Sequence, residues 1–180
     1  MLDPARTRTG RLRLFLRDFR MVEANATFAE GQSLTMWLGQ RRAWITLLDA
    51  EWVGTAERSA MVVLRVQQVL WVEAQGDGVS VVSSSAAPAP RDVEVRLEGG
   101  LVLRGQLPMH GGQRLPDYLE AVGSFVPLLH AQLLRSGRPP RKTNLVLRDM
   151  VIHRDSIQTV SEVSAPSLSE LRAGAEEGLG

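Results

Sequence analysis

The sequence predicts a mostly-β protein made of two tandem β-β-α-β-β-β units that pack as a pseudo-two-fold pair. The main observation is that one segment occurs twice: shifting the chain by 81 positions (112 − 31 = 81) places Gly31–Ala50 on Gly112–Ala131 without a gap. The matches fall on apolar and glycine positions, as a shared core requires. Around each copy, short apolar runs and period-2 alternation are typical of strands. A Ser/Ala/Pro-rich stretch, 83–91, separates the two units.

The matched positions indicate which residues a shared core would use. The identical pairs are Gly31 and Gly112, Gln32 and Gln113, Leu34 and Leu115, Leu38 and Leu119, Leu47 and Leu128, Leu48 and Leu129, and Ala50 and Ala131. Trp44 meets Phe125, so an aromatic is kept there. The last strands align at an offset of 88, with Val69 over Ile157, so the second unit holds seven extra residues (88 − 81 = 7) in or beside 135–144.

The first unit, 11–82, follows an arm, 1–10, that we expect to be flexible. Leu34, Trp37 and Leu38 have the i, i+3, i+4 spacing of an amphipathic helix. The predicted elements are strands Leu12–Leu16 and Arg20–Phe28, helix Ser33–Gly39, strands Trp44–Val53, Met61–Arg65 and Gln68–Glu73, and a further short strand in Gly76–Val82.

The second unit, 92–161, repeats this plan after the linker, 83–91, whose serines and prolines cannot form a packed element. Gly99 and Gly100 predict a hairpin turn, and Gly105 a bend or a close backbone approach. The predicted elements are strands Val93–Glu98 and Leu101–Leu107, helix Leu115–Ala121, and strands Phe125–Leu134, Leu145–His153 and Ser156–Val160. A tail, 162–180, carries a short predicted helix, Ser167–Arg172, with a capping box.

Composition limits the class of protein. A length of 180 residues fits two units of about 80 residues each, which are small enough to need their twin or a partner for full burial. The formal charge of +1 favours no polyanionic ligand, and the absence of cysteine suits a reducing compartment. No secretory signal and no apolar run of about 18–20 residues is present. We therefore expect a cytoplasmic protein, soluble or peripheral at the inner membrane.

The run VEVRLEGGLVLRGQL, with its alternating apolar residues, tight Gly turn and glycine in the second strand, resembles the first half of an Sm-like small β-barrel. The next segment is similar to an uncharacterised bacterial family marked by Arg-Leu-x-Asp-x-Leu, here Arg114, Leu115, Asp117 and Leu119. The resemblance covers 93–160 well and 12–75 loosely, because the first unit has serine and methionine in place of the Arg and Asp. It implies a fold and no reaction.

No catalytic or metal-binding signature is present. The three histidines, His110, His130 and His153, lie 20 and 23 residues apart, without a second ligand type at a recognised spacing. His130 matches Asp49 of the first unit, which indicates a surface strand position. Ser124 lacks a G-x-S-x-G setting, and no glycine-rich segment has Walker spacing. We expect neither an enzyme nor a bound cofactor.

Four aromatic or charged positions are candidates for partner binding. Trp52 and Trp71 have no aromatic counterpart in the second unit, so each is either a binding hot spot or a packing residue. Arg114 and Asp117 could contact a partner, although their spacing favours a local ion pair at the helix start.

A basic segment falls on the insertion that only the second unit has: Arg135, Arg138, Arg141 and Lys142. It could bind RNA phosphates, anionic lipid headgroups or an acidic partner, and a solvated loop is the simplest alternative. A second such segment contains Arg6, Arg8, Arg11 and Arg13. Aromatic residues that would stack on bases are missing near both, which disfavours RNA.

These observations favour a non-catalytic structural or adaptor subunit of a larger bacterial assembly. The arginine-rich segments suggest a peripheral position on the cytoplasmic face of a membrane complex, such as a photosynthetic or respiratory one. The expected partners are other protein subunits. The alternative is an Sm-like RNA- or ligand-binding module.

Overall fold

The computed structural model describes residues 7–41, 43–76, 78–83, 89–136 and 141–163, and it gives only the backbone of Ser136 and of 141–144. The fold is mostly β, as predicted, and every strand pairing in it is antiparallel. The N-terminal half contains β1 Thr7–Leu16, β2 Met21–Ala29, α1 Leu34–Gly39, β3 Trp44–Trp52, β4 Arg58–Arg65 and β5 Val69–Gln75. The C-terminal half contains β6 Ala89–Leu97, β7 Val102–Met109, α2 Leu115–Ala121, β8 Phe125–Ser136, β9 Arg141–Val146, β10 Met150–His153 and β11 Ile157–Glu162.

All eleven strands belong to one sheet. Its order is β11-β6-β7-β8-β10-β5-β1-β2-β3-β4, and β9 pairs with β8 beside this path. The two halves meet where β5 pairs with β10, a junction that we call the seam. The sheet is open, so that within the described residues β4 and β11 end this path, and β9 likewise has a partner on one side only.

The strand registers of the two halves coincide when the chain is shifted. Arg8 pairs with Phe28 and, 81 positions later, Ala89 pairs with Met109. In β3 and β4, Trp44 pairs with Arg65. In the C-terminal half Phe125 pairs with His153, at offsets of 81 and 88 respectively (125 − 44 = 81; 153 − 65 = 88).

A residue with positive φ interrupts the strand pairing at the same position in both halves. Asp49 has φ 49° and His130 has φ 50°, each beside the register shift of its strand pair. Both side chains are exposed, as the sequence predicts for this position.

The helices have the caps and buried faces that their sequences encode. The Ser33 hydroxyl accepts a hydrogen bond from the Met36 N–H at 3.3 Å, which satisfies one free donor at the start of α1. Trp37 lies in the core and donates its indole N–H to the Thr27 carbonyl at 2.8 Å. Pro116 occupies the first turn of α2, where its missing N–H has no consequence.

Two apolar cores share the seam strands. Val72 of β5 and Val151 of β10 lie in the first core, with the side chains of β1–β3. Trp71 and Ile152, next to them along the same strands, point to the opposite face and lie in the second core. The seam is therefore buried on both faces, as in the interior of a sheet.

The predicted pseudo-two-fold arrangement is wrong. A two-fold axis would join the same strand from each half, whereas the seam joins β5 to β10. At the 88-residue offset, β5 corresponds to β11, and β10 corresponds to the end of β4. Both β11 and β4 lie at the ends of the strand order, within the described residues, and not at the seam. The halves are therefore arranged head to tail.

Several predicted boundaries need correction. The predicted arm is partly a strand, because β1 pairs with β2 from Thr7 onward. The expected linker ends earlier, because β6 begins at Ala89. Pro90 fits there because, within the described residues, the pairing of β11 with β6 extends only as far as Val93, so no described strand needs the missing N–H of the proline on that side.

Two further predictions on strands also need correction. The expected strand over Leu145–His153 is two strands, β9 and β10, separated at 147–149. No strand forms in the described part of Gly76–Val82. There the Ser80 and Val81 carbonyls accept the Leu34 and Thr35 N–H groups at 2.8 and 3.2 Å, satisfying the free donors of α1. The predicted tail helix lies outside the described residues.

Candidate protein interface

The outer face of the sheet end at β4 carries a cluster of exposed apolar side chains. Trp44 is 52%, Leu48 41%, Met61 60% and Val63 48% exposed. We call these four residues the β4 patch. Large apolar side chains grouped on a free sheet edge are typical of a surface that another chain covers.

The register of β3 and β4 brings the patch together. Leu48 pairs with Met61, and Val63 pairs with Thr46 one step further along the same face. The Arg65 guanidinium lies over the Trp44 ring, 5.2 Å from its centroid, and holds the indole against the sheet. The alternate residues of β4, Val62 and Leu64, point inward and are only partly buried against the first core. Both faces of this end strand are therefore apolar.

The same positions in the C-terminal half are covered. Phe125 and Val151, which occupy the register positions of Trp44 and Val63, are 1% and 0% exposed and belong to the first core. Leu129, the counterpart of Leu48, also packs against that core. The N-terminal half supplies the cover, mainly through β5, whose Val72 pairs with Val151, and through α1, which lies near β8.

Arginines stand at both ends of β4. Arg58 is the first residue of the strand and Arg65 the last, and both are exposed. Arg58 approaches Glu51 at 3.6 Å, an exposed ion pair that leaves most of the guanidinium in solvent. The apolar patch therefore has a basic border, which favours a partner with carboxylates at the corresponding places.

Trp71 belongs to the seam. Its ring stacks on Phe15 at a centroid distance of 4.2 Å and an interplanar angle of 16°, and the residue is 3% exposed. Its indole N–H donates to the Glu73 carboxylate at 3.1 Å. The sequence left two interpretations of Trp71, a binding hot spot and a packing residue. The structure fits the packing residue, because a side chain buried between the halves presents no surface to a partner.

Glu73 is a buried carboxylate on the same strand. Burial raises the pKa of Glu73, and the bonds from Trp71 and from the Gln75 amide, with the nearby Arg13 guanidinium, oppose the rise only in part. The folded protein thus retains a proton at a pH where the unfolded chain has lost it.

Stability should therefore fall as pH rises from the unfolded value of 4.5 through the raised folded pKa of Glu73. Glu73→Gln removes this titration, so its free energy of unfolding should exceed that of the wild type at neutral pH and vary less with pH. Urea unfolding of both proteins between about pH 4 and about pH 8 measures the difference. The same dependence of the free energy of unfolding on pH in both proteins would contradict this prediction.

The histidines do not converge. His153 is buried against Phe125, with ring centroids 5.0 Å apart, and burial lowers its pKa. His130 is exposed, and its backbone N–H donates to Asp149 at 2.8 Å. Within the described ranges, no three His, Cys, Asp or Glu side chains are grouped closely enough to hold a metal ion.

Trp52 and the Arg114–Asp117 pair lie apart from the β4 patch. Trp52 is half-buried, and the Arg20 guanidinium stands 4.6 Å from its ring centroid. Arg114 bonds Asp117 at 3.0 Å at the start of α2, with side chains 82% and 51% exposed. The favoured interpretation of this pair, a local ion pair, fits that geometry.

The structure describes the predicted basic segments only in part. Arg135 is exposed on β8, Arg138 lies outside the described residues, and Arg141 and Lys142 belong to β9 with side chains that are not described. In the N-terminal segment, Arg8 donates to the Gln32 carbonyl at 3.0 Å and Arg13 bonds Glu23 at 2.6 Å. These two arginines are therefore engaged within the protein.

Sequence reasoning overlooked the β4 patch. The sequence does contain an indication of it, because Trp44 aligns with Phe125 and Leu48 aligns with Leu129. If both copies of this apolar surface are to be buried, each copy needs another element or another chain packed against it. An aromatic residue kept at this position in both copies predicts a core residue; Phe125 is buried as this predicts, but Trp44 is half exposed.

No helix in the described part of the chain is long and apolar enough to cross a membrane. Comparison of the chain with protein-family models, curated proteins and solved structures finds no match in any of the three.

Proposed function

We propose that the protein is a non-catalytic structural or adaptor subunit of a larger bacterial assembly. One observation carries this proposal: the β4 patch is exposed, while the equivalent surface of the C-terminal half is buried beneath a neighbouring unit. Apolar area of this kind is costly to leave in water and stabilises a complex when a partner covers it.

The fold that supports this role is, in our proposal, a tandem pair of Sm-like units. The shared element order, the coincident registers and the two positive-φ residues, Asp49 and His130, support a duplicated origin. Since the units join head to tail in an open sheet, the first unit leaves its β3–β4 surface uncovered. A chain of two units therefore presents one such surface to a partner.

We propose that the protein binds as a peripheral subunit on the cytoplasmic face of a membrane complex. The support is the basic border of β4 together with Arg135 on the exposed part of β8. Cationic side chains next to an apolar docking surface suit a site close to anionic lipid headgroups.

Fractionation of the native host tests the proposal. Membranes are extracted with mild detergent, and both membrane and soluble fractions are separated on native gels and probed for the protein. We expect co-migration with a large complex whose other subunits mass spectrometry identifies. Migration in both fractions as a small species of roughly 20 or 40 kDa, the monomer or dimer of a 19.8 kDa chain, would contradict it.

A further inference from the structure

We propose that the partner binds by adding one extended strand, antiparallel, to the free edge of β4, and that this strand resembles β5: apolar, with acidic residues near its ends. This inference rests on the proposed function, since it names the chemistry of the partner segment. The occupant is a strand of a different protein rather than a second copy of this chain.

The seam supplies the template for this pairing. In it, Met150, Val151 and Ile152 of β10 pair with Glu73, Val72 and Trp71 of β5. The counterparts of these β10 residues in the first half are Val62, Val63 and Leu64, because the β3–β4 and β8–β10 registers coincide. A strand added to β4 in the same register would therefore face the same kind of edge that β5 covers.

The two faces of the edge define the side chains of the added strand. Opposite Val63, on the face of the β4 patch, a β-branched residue such as the Val72 of the seam would lie next to Met61 and Arg65, the residues two positions before and after Val63 on β4. Opposite Leu64, on the inner face, a large apolar residue such as Trp71 would complete the burial of Val62 and Leu64. Alternate side chains of an added strand fill separate pockets, which provides specificity.

Charge specifies the ends of the added strand. Arg58 and Arg65 border β4, and carboxylates on a partner would lie across from them. In the seam, an arginine near one end of β10 likewise acts on a carboxylate of the neighbouring strand: the charge of Arg148 opposes the rise in the pKa of Glu73.

A second copy fits less well in either orientation. Head-to-tail addition would bring β11 against β4, but β11 has Thr159 and Ser161 where β5 has Trp71 and Glu73, and both are exposed and polar. A polar end strand is the form of a capping unit, which ends an array. Antiparallel pairing of two β4 strands would bring two basic borders together, since β4 begins with Arg58, ends with Arg65 and contains no carboxylate that could offset their charge.

A peptide with the β5 sequence tests this inference directly. Residues Val69–Gln75, VLWVEAQ, are synthesised with two aspartates at each end and a fluorophore, and titrated into the full chain with fluorescence anisotropy as the readout. We expect saturable binding that Val63→Lys and Met61→Lys each weaken by about tenfold or more, the loss expected when the centre of an interface is disrupted. Thr159→Lys, on the exposed end strand β11, is the matched control and should bind like the wild type.

The peptide also tests the charge argument. A version with lysines in place of the added aspartates should bind more weakly, and the difference should shrink at high salt. A scrambled peptide should not bind. Absence of binding by the β5 peptide, or equal binding to wild type and Val63→Lys, would overturn the inference.

The proposed function and this inference can fail separately. Concentration-dependent self-association of the free chain, lost in both Val63→Lys and Thr159→Lys, would replace the foreign strand by a second copy and overturn the inference. Persistence of the native complex with Val63→Lys, with no binding of the peptide, would overturn the inference while leaving an adaptor that docks elsewhere. Migration of the native protein as a small free species would instead contradict the proposed function.

Discussion

Trp71→Ala should lower the free energy of unfolding by about 3–5 kcal/mol, the range for truncating a buried aromatic residue. The Trp71 ring stacks on Phe15 and lies in the second core, so its loss leaves a cavity at the seam where the halves join. The substitution also removes the indole donor from the Glu73 carboxylate, which stays buried with one partner fewer.

Urea unfolding followed by circular dichroism measures this effect. Trp52→Ala is the matched control, because Trp52 is half-buried beside the exposed Arg20 and its truncation leaves a surface depression that water can fill. Equal losses for the two substitutions would contradict the assignment of Trp71 to the seam.

Val151→Lys should prevent stable folding, at a cost of about 4 kcal/mol or more, since it places an unpaired charge between the two halves. Val151 is 0% exposed and pairs with Val72 across the seam. Val63→Lys, at the same register position of the first half, should change stability by only about 0.5 kcal/mol, because Val63 is half exposed.

The two lysine variants thus compare a position that the other half of the sheet covers with a position that is half exposed. Thermal unfolding of both, with the wild type alongside, compares them directly. Comparable melting temperatures for Val151→Lys and Val63→Lys would show that the seam does not cover Val151 as described.

The sequence predicted those elements whose signals are local. Helix α2 has the predicted bounds, Leu115–Ala121, because Pro116 marks its first turn and the apolar spacing marks its length. The hairpin turn at Gly99 and Gly100 is also as predicted, since both have positive φ. The close approach expected at Gly105 is present: a Cβ there would lie 2.7 Å from the Leu129 carbonyl oxygen.

Elements whose structure depends on distant partners were harder to predict. The Thr7–Gly10 segment shows no strong apolar pattern, yet it pairs with β2 along its full length. The Gly76–Val82 segment has the composition of a strand, but its carbonyls serve the N-terminus of α1. In both cases the hydrogen-bond partner lies far away in sequence.

The candidate interface lay beyond sequence reasoning for a related reason. An end strand with apolar residues on both faces has the same sequence pattern as a strand in the middle of a sheet. Only the strand order shows that β10 has neighbours on both sides while β4, with the exposed Met61 and Val63, has one neighbour among the described strands. The repeated segment in the sequence does not indicate which strands join the two halves, so the pairing of β5 with β10 could not be foreseen.

The central claim, that the β4 edge docks a partner within a larger assembly, is tested most directly in the native host. The chromosomal copy is replaced by wild type, Val63→Lys or Thr159→Lys, and detergent extracts are separated on native gels. We expect the wild type and Thr159→Lys to migrate with the large complex, and Val63→Lys to migrate as a folded species of roughly 20 kDa, the mass of the free chain. Migration of Val63→Lys with the complex at the wild-type level would contradict the claim.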